Sequence, residues 1–171
     1  MAYEKQTWND RVSQYPNRYL VTENGGTGKN ICPPFHMWTP ENAYAGSRTT
    51  VEDDFTMVSS GEAGGYITMK ADFDIVAGKT YTYSTYLTIT DYVSGSLGVA
   101  IEIGFINSTG AYTQSKVSSY TNTANGTRMT LANYTAPAGM VKCRVKTIVH
   151  STAVLTAKFT NPQVEQSTSA S

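Results

Sequence analysis

Three positively charged residues occupy alternate positions of one predicted strand, residues 140–150. Lys142, Arg144 and Lys146 point to the same face of it, because side chains alternate along a strand. If the predicted strand that carries Glu102 lies beside this one, Glu102 comes within reach of the three cations. Charged groups fixed on a sheet face can bind the hydroxyls of a polar ligand. The alternative is a cross-strand ion pair on a solvated face, which contributes at most about 1 kcal/mol.

Residues that could catalyse a reaction are few. Two acidic pairs, Asp53 with Asp54 and Asp72 with Asp74, could serve as glycosidase carboxylates or hold a calcium ion, but adjacent acids near turns are usually solvated. His36 and His150 lie outside any nucleophile motif such as G-x-S-x-G, although a Ser–His–Asp arrangement is spatial and stays open. We therefore expect a protein that is not an enzyme and has no cofactor, with a structural calcium at the first acidic pair as the open alternative.

The composition argues against two classes of partner. Lys and Arg together number 13, as do Asp and Glu, so the formal net charge is zero. A neutral chain attracts neither nucleic acid nor an anionic membrane over long range. The first residues also lack the apolar stretch of a signal peptide, so we expect synthesis in a cytoplasm, with Cys32 and Cys143 as free thiols.

Alternating patterns predict strands throughout most of the chain and no helix. The clearest strand is residues 80–90, where Tyr81 and Tyr83 share one face. Other predicted strands cover residues 47–51, 55–59, 65–73, 97–106, 112–117, 128–135, 140–150 and 153–160. Many short strands separated by turn signals predict an all-β fold, one antiparallel β-sandwich over residues 24–166 with a flexible tail at 167–171.

Residues 24–46 are rich in glycine and proline and should run over the surface or along an edge of the sandwich. Trp38 lies in this stretch. Together with the loop aromatics Tyr44, Tyr112 and Tyr120, it could rim a binding site or cover an edge of the core. The pattern does not choose between these two roles.

The first 23 residues look like an attachment arm that precedes the sandwich. Its aromatic residues are too numerous to stay in water on an isolated peptide, since burying one contributes about 2–3 kcal/mol. They either fold back on the sandwich or bury in a partner, and we favour the partner. The predicted attachment residues are Tyr3, Trp8, Arg11, Tyr15 and Tyr19.

Three short segments, in this order, resemble the jelly-roll carbohydrate-binding modules of the galactose-binding-like type. They are residues 78–86 (GKTYTYSTY), 134–139 (YTAPAG) and 161–165 (NPQVE). The resemblance spans about residues 47–166 and implies a jelly roll in which Tyr86 faces a sugar. With it we expect a carbohydrate-binding surface formed by Tyr86, Glu102, Arg144, Lys146 and Trp38. The family also implies the structural calcium, for which Asp53 and Asp54 are the candidates.

Residues 2–12 (AYEKQTWNDRV) resemble the opening of structural proteins from phages of Gram-positive bacteria, including tail, baseplate and head-fibre components. The resemblance implies a virion protein made in the host cytoplasm, whose arm docks to other virion proteins. We expect repeated copies or a homo-oligomer, with the jelly roll displayed outward and in reach of host cell-wall glycan. The alternatives are a stand-alone carbohydrate-binding module and a glycan hydrolase or esterase.

Overall fold

The structure, a computed structural model, describes residues 30–41, 49–51, 55–60 and 66–167. The attachment arm, Asp53 and Asp54 lie outside these residues. The strands are β1 (Thr39–Pro40), β2 (Thr49–Val51), β3 (Phe55–Ser60), β4 (Ile67–Asp74), β5 (Thr80–Ser94), β6 (Val99–Asn107), β7 (Tyr112–Val117), β8 (Thr127–Thr135), β9 (Met140–Val149) and β10 (Val154–Ser167). One turn of 3-10 helix, Phe35–Met37, is the only helical element in the described part of the chain, where no helix is long and apolar enough to cross a membrane.

Two five-stranded antiparallel sheets face each other. The first sheet has the order β1-β4-β9-β6-β7, and the second has the order β2-β3-β10-β5-β8. The all-β prediction of an antiparallel jelly-roll sandwich is thereby confirmed. Because β9 lies between β4 and β6, the cation-bearing strand is central in the first sheet and has a neighbour on each side.

The core fills the space between the sheets, as the alternation along the strands predicts. Tyr81, Tyr83 and Leu87 of β5 are fully buried, and so are Ile101, Ile103 and Phe105 of β6 and Cys143, Val145 and Val149 of β9. Intervening residues of these strands face outward, away from the other sheet. Both cysteines are buried free thiols, and desolvation raises the pKa of each.

Residues 30–41 run along an edge of the sandwich, one of the two courses expected from the sequence, and some of their side chains pack into the core. The Asn30 side chain joins this segment to β10: its amide nitrogen donates to the Pro162 carbonyl at 2.9 Å. Its Oδ1 accepts from the backbone N–H groups of Cys32 and Val164, also at 2.9 Å. These bonds lock the segment against the last strand, and Cys32, Phe35 and Trp38 extend the core.

Trp38 is therefore a core residue, which corrects the prediction that it belongs to a carbohydrate-binding surface. It is 4% exposed, and its indole N–H donates to the Pro33 carbonyl at 2.9 Å. Its ring meets the ring of Phe35 edge-on, with centroids 5.2 Å apart. The expectation failed because glycine and proline mark the backbone as irregular without saying whether it lies outside or inside.

Candidate functional site

A groove of about 480 Å³ lies on the outer face of the first sheet. Strands β4, β9, β6 and β7 form its floor, and the ends of the neighbouring loops form its walls. Its lining combines aromatic, charged and amide side chains: Glu41, Tyr66, Thr68, Glu102, Gln114, Val117, Tyr120, Lys146 and Ile148. A concave site with apolar surfaces and a few convergent polar groups is the usual form of a small-ligand site.

Lys146 is the central charge of the groove. It lies directly opposite Glu102 in the register of β9 and β6, so the condition under which Glu102 comes within reach is met. Its Nζ is 3.1 Å from Oε1 of Glu102 and 3.2 Å from Oε1 of Glu41. The side chains of Lys146 and Glu102 are only 11% and 7% exposed, so this is a buried ion pair and not a pair on a solvated face.

Glu102 also accepts two hydrogen bonds from the edge strand β7. The Tyr112 hydroxyl donates to Oε1, and the Gln114 side-chain amide donates to Oε2 at 3.1 Å. Burial, followed by the hydrogen bond to Glu102, raises the pKa of Tyr112, so its hydroxyl keeps its proton and acts as a donor. Both oxygens of the carboxylate are thus fixed by β7 and β9.

The Tyr112 ring crosses β6 at Gly104 and reaches the cations of β9. A Cβ on Gly104 would lie 2.6 Å from Cε2 and Cζ of this ring, so only glycine leaves room for it. Lys146 Nζ is 4.7 Å and Arg144 Cζ is 5.1 Å from the ring centroid, both within the range of a cation–π contact. The ring therefore ties β7 to two cations that lie two strands away.

Arg144 continues the polar floor beside the groove. Its Nε and Nη2 each donate at 2.6 Å to one carboxylate oxygen of Asp72, a bidentate pair between β9 and β4. The hydrogen bond to Asp72 is the main cause of the raised pKa of Arg144. Because Asp72 binds two of its nitrogens and the Tyr112 ring lies against it, the guanidinium has a fixed orientation.

Two tyrosines and a histidine form the aromatic wall of the groove. The His150 ring meets Tyr66 and Tyr120 edge-on, at centroid distances of 4.8 Å and 5.4 Å. His150 Nδ1 is 3.2 Å from the Thr152 backbone nitrogen and 2.9 Å from the Thr152 hydroxyl, and its Nε2 shares a hydrogen bond of 3.2 Å with the Tyr66 hydroxyl. His150 thus supports the two tyrosines.

The residues proposed from the sequence as one carbohydrate surface occupy three places. Glu102, Arg144 and Lys146 lie together on the first sheet, Trp38 is in the core, and Tyr86 is on the outer face of the second sheet beside Arg128. Sequence reasoning missed Tyr66, Glu41 and Gln114. The alternation of 66, 68 and 70 against 67, 69 and 71 placed Tyr66 on one face of its strand, but nothing in the pattern indicated which face bordered a groove.

The proposed calcium site and the attachment residues lie outside the described residues. Within the part of the chain that the structure describes, no group of three or more His, Cys, Asp or Glu side chains could hold a metal ion. A second hollow, of about 510 Å³, lies near the end of β5 around Asp91 and Tyr92. Asp91 is the only charged residue in its lining, which makes it chemically poorer than the groove.

Comparisons with solved structures find carbohydrate-binding modules with a similar fold. A CBM4 module superposes with a TM-score of 0.56 at 13% identity, covering 76% of this chain and 86% of that one. A module described as Family 16 Carbohydrate Binding Module-2 gives 0.50 at 10% identity, covering 65% and 74%. These structural neighbours are carbohydrate-binding modules. At such identities the likeness shows the fold alone.

A third similar structure is the enzymatically active domain of tailspike protein 4 of Bacteriophage CBA120. The TM-score is 0.53 at 13% identity, and the match covers 78% of this chain but only 20% of the tailspike chain. The fold therefore corresponds to about a fifth of that protein. No protein-family model matches the sequence, and no curated protein matches it either.

Proposed function

We propose that the protein is a non-enzymatic carbohydrate-binding domain that holds a glycan in the groove of the first sheet. The observation that carries this proposal is the meeting of the aromatic wall with a floor of fixed charged and amide groups. Sugar rings stack their C–H faces on aromatic rings, while planar polar groups take their hydroxyls. The carbohydrate-binding modules among the structural neighbours support the same reading.

The groove is organised before a ligand arrives. Glu102, Lys146 and Gln114 hold one another through direct contacts, so few rotamers are lost on binding. Tyr66, which is 45% exposed, offers a ring face to the ligand and is held at its hydroxyl by His150. A glycan would lie along the aromatic wall with its hydroxyls directed to the floor.

The same contacts argue against hydrolysis by the carboxylates of the groove itself. Glycoside hydrolysis requires one carboxylic acid with a proton to give and one free carboxylate. Glu41 and Glu102 both contact the single ammonium of Lys146, and Glu102 also accepts two hydrogen bonds. Both oxygens of Glu102 and one oxygen of Glu41 are already engaged by groups of the protein, so we propose binding without turnover.

The groove is tested by measuring the affinity of the protein for a panel of purified Gram-positive cell-wall polysaccharides. We expect saturable binding that Tyr66→Ala weakens by about tenfold, which corresponds to about 1.4 kcal/mol. Tyr92→Ala is the matched control, because Tyr92 is equally exposed at 43% but lies in the second hollow. Absence of binding across the panel, or an equal loss in the two variants, would contradict the proposal.

We further propose that this domain is carried on a phage particle, joined to it by residues 1–23. Support comes from the resemblance of residues 2–12 to phage structural proteins and from the tailspike domain among the structural neighbours. In this proposal the protein is present in repeated copies and meets host glycan from outside. A stand-alone carbohydrate-binding module is an equally supported alternative.

The two alternatives differ in what residues 2–20 do. If the arm docks to a particle, a chain that lacks residues 2–20 folds and binds glycan as before but is no longer incorporated when particles assemble. Incorporation is read by mass spectrometry of purified particles. Failure of the particle to contain the full chain at all would favour the stand-alone module. Unchanged incorporation of the shortened chain would show that the arm is not what attaches the protein to the particle.

A further inference from the structure

A second polar and aromatic surface lies on the outer face of the second sheet, opposite to the groove. Tyr86 of β5 and Arg128 of β8 are direct partners in the register of these strands. Gln163 of β10 pairs with Ser84 of β5, so it lies on the other side of β5 from Arg128. Tyr86, Arg128 and Gln163 are referred to here as the platform.

The Arg128 guanidinium is held in place by neutral groups. Its Nε and Nη2 donate to the Ser84 hydroxyl at 3.3 and 2.9 Å, and Nη2 also donates to Oε1 of Gln163 at 2.8 Å. Its Cζ is 5.8 Å from the centroid of the Tyr86 ring. Ser84 is only 2% exposed, so the guanidinium rests on a buried hydroxyl and has a defined position.

Arg128 differs from the cations of the first sheet because it has no carboxylate partner among the described residues. Lys142, Arg144 and Lys146 each contact a carboxylate. Among the residues that the structure describes, no carboxylate lies within 4.0 Å of Arg128, and its Nη1 has no acceptor. A fixed guanidinium with a free nitrogen, beside an aromatic ring, therefore lacks the anion that this geometry suits.

We propose that the platform is a second glycan-binding site that takes a sugar bearing a carboxylate, a uronic acid residue. The sugar ring stacks on Tyr86, and its carboxylate accepts hydrogen bonds from Nη1 of Arg128. The Gln163 side-chain oxygen is already an acceptor for Arg128, so its amide nitrogen is the group left to donate to a sugar oxygen. The groove and the platform face opposite directions, and the two sites are independent.

The test compares acidic polysaccharides with a neutral form of the same backbone. The full chain is titrated with polygalacturonate, with its fully methyl-esterified form and with hyaluronate, which carries glucuronate. We expect binding to at least one acidic polymer, at least tenfold weaker binding to the ester, and at least tenfold losses in Arg128→Gln and Tyr86→Ala. Lys79→Gln is the charge-matched control, because it removes one exposed cation outside the platform and should change nothing.

Each remaining outcome refutes the proposal. Absence of binding to both acidic polymers, equal affinity for the ester, or full binding by Arg128→Gln would show that the platform takes no uronate. A loss in Tyr66→Ala instead would place the acidic polymer in the groove. If a variant fails to fold, amide chemical shifts of the wild-type chain with trigalacturonate decide, since changes must centre on β5 and β8. Binding of neutral glycan in the groove is a separate measurement and can fail without affecting this result.

Discussion

Replacing Lys146 by methionine tests whether the ion pair in the groove is truly buried. The variant Lys146→Met leaves the Glu102 carboxylate, 7% exposed, without its cation. Removing one partner of a buried pair costs about 3–5 kcal/mol. Glu102 keeps its hydrogen bonds from Tyr112 and Gln114, which moderate the loss, so we expect a loss near the lower limit, about 3 kcal/mol. For a domain of this size that corresponds to a drop in Tm of about 6–12 °C.

The free energy of unfolding is measured by urea titration with the midpoint and slope fitted separately. Lys142→Met is the matched control on the same strand and face, because the side chains of Lys142 and Asp74 are 47% and 82% exposed. An exposed pair of this kind contributes about 0–1 kcal/mol. The double variant Lys146→Met/Glu102→Gln should recover about 2 kcal/mol of the loss, since it removes the uncompensated charge.

Two results would refute this reasoning. If Lys146→Met costs no more than Lys142→Met, the groove is solvated and the pair is an ordinary surface contact. If the double variant is no more stable than Lys146→Met, the loss of stability comes from the packing of the lysine side chain and not from the unpaired Glu102 carboxylate.

Three further predictions concern the core and its edge. Tyr83→Phe should raise the free energy of unfolding, measured by urea titration, by about 1 kcal/mol, because the Tyr83 hydroxyl is buried without a hydrogen-bond partner among the described residues. A loss of stability would contradict this. Asn30→Ala should cost about 2 kcal/mol and speed proteolysis of residues 30–41, since three hydrogen bonds to the backbone are lost; unchanged proteolysis would count against it. Burial raises the pKa of Cys32, Cys143 and Tyr83, so the folded state keeps protons that the unfolded chain releases above about pH 8.5. The contribution of these buried groups to the free energy of unfolding is therefore fully present below that pH and is lost as the pH rises. A urea midpoint that stays constant between pH 7 and 11 would refute this.

The faces of individual strands were predictable from the sequence. Period-two alternation correctly placed Tyr81 and Tyr83 on one face of their strand, which is the buried face, and Lys146 and Glu102 on the outer faces of theirs. The strands of Lys146 and Glu102 are neighbours, which the sequence left as a condition. These predictions succeed because alternation is local and the buried face of each strand is strongly apolar.

The site was predictable only in part, because its walls come from distant segments. Alternation says that Tyr86 and Lys146 both point outward, but it does not say that they belong to different sheets. The burial of Lys146 depends on Glu41 and on the edge strand β7, which are far apart in sequence. Trp38 was misplaced for the same reason, since what covers a loop is decided by tertiary contacts.

Gly104 gives a way to read other sequences that share this fold. A side chain at this position would strike the Tyr112 ring and so remove the bridge between β7 and the cations of β9. A side chain at position 104 therefore requires a change at position 112 as well. In a distant homologue, an alanine aligned with Gly104 would mark a lineage that has rebuilt the floor of its groove, even where overall identity is too low to compare ligands.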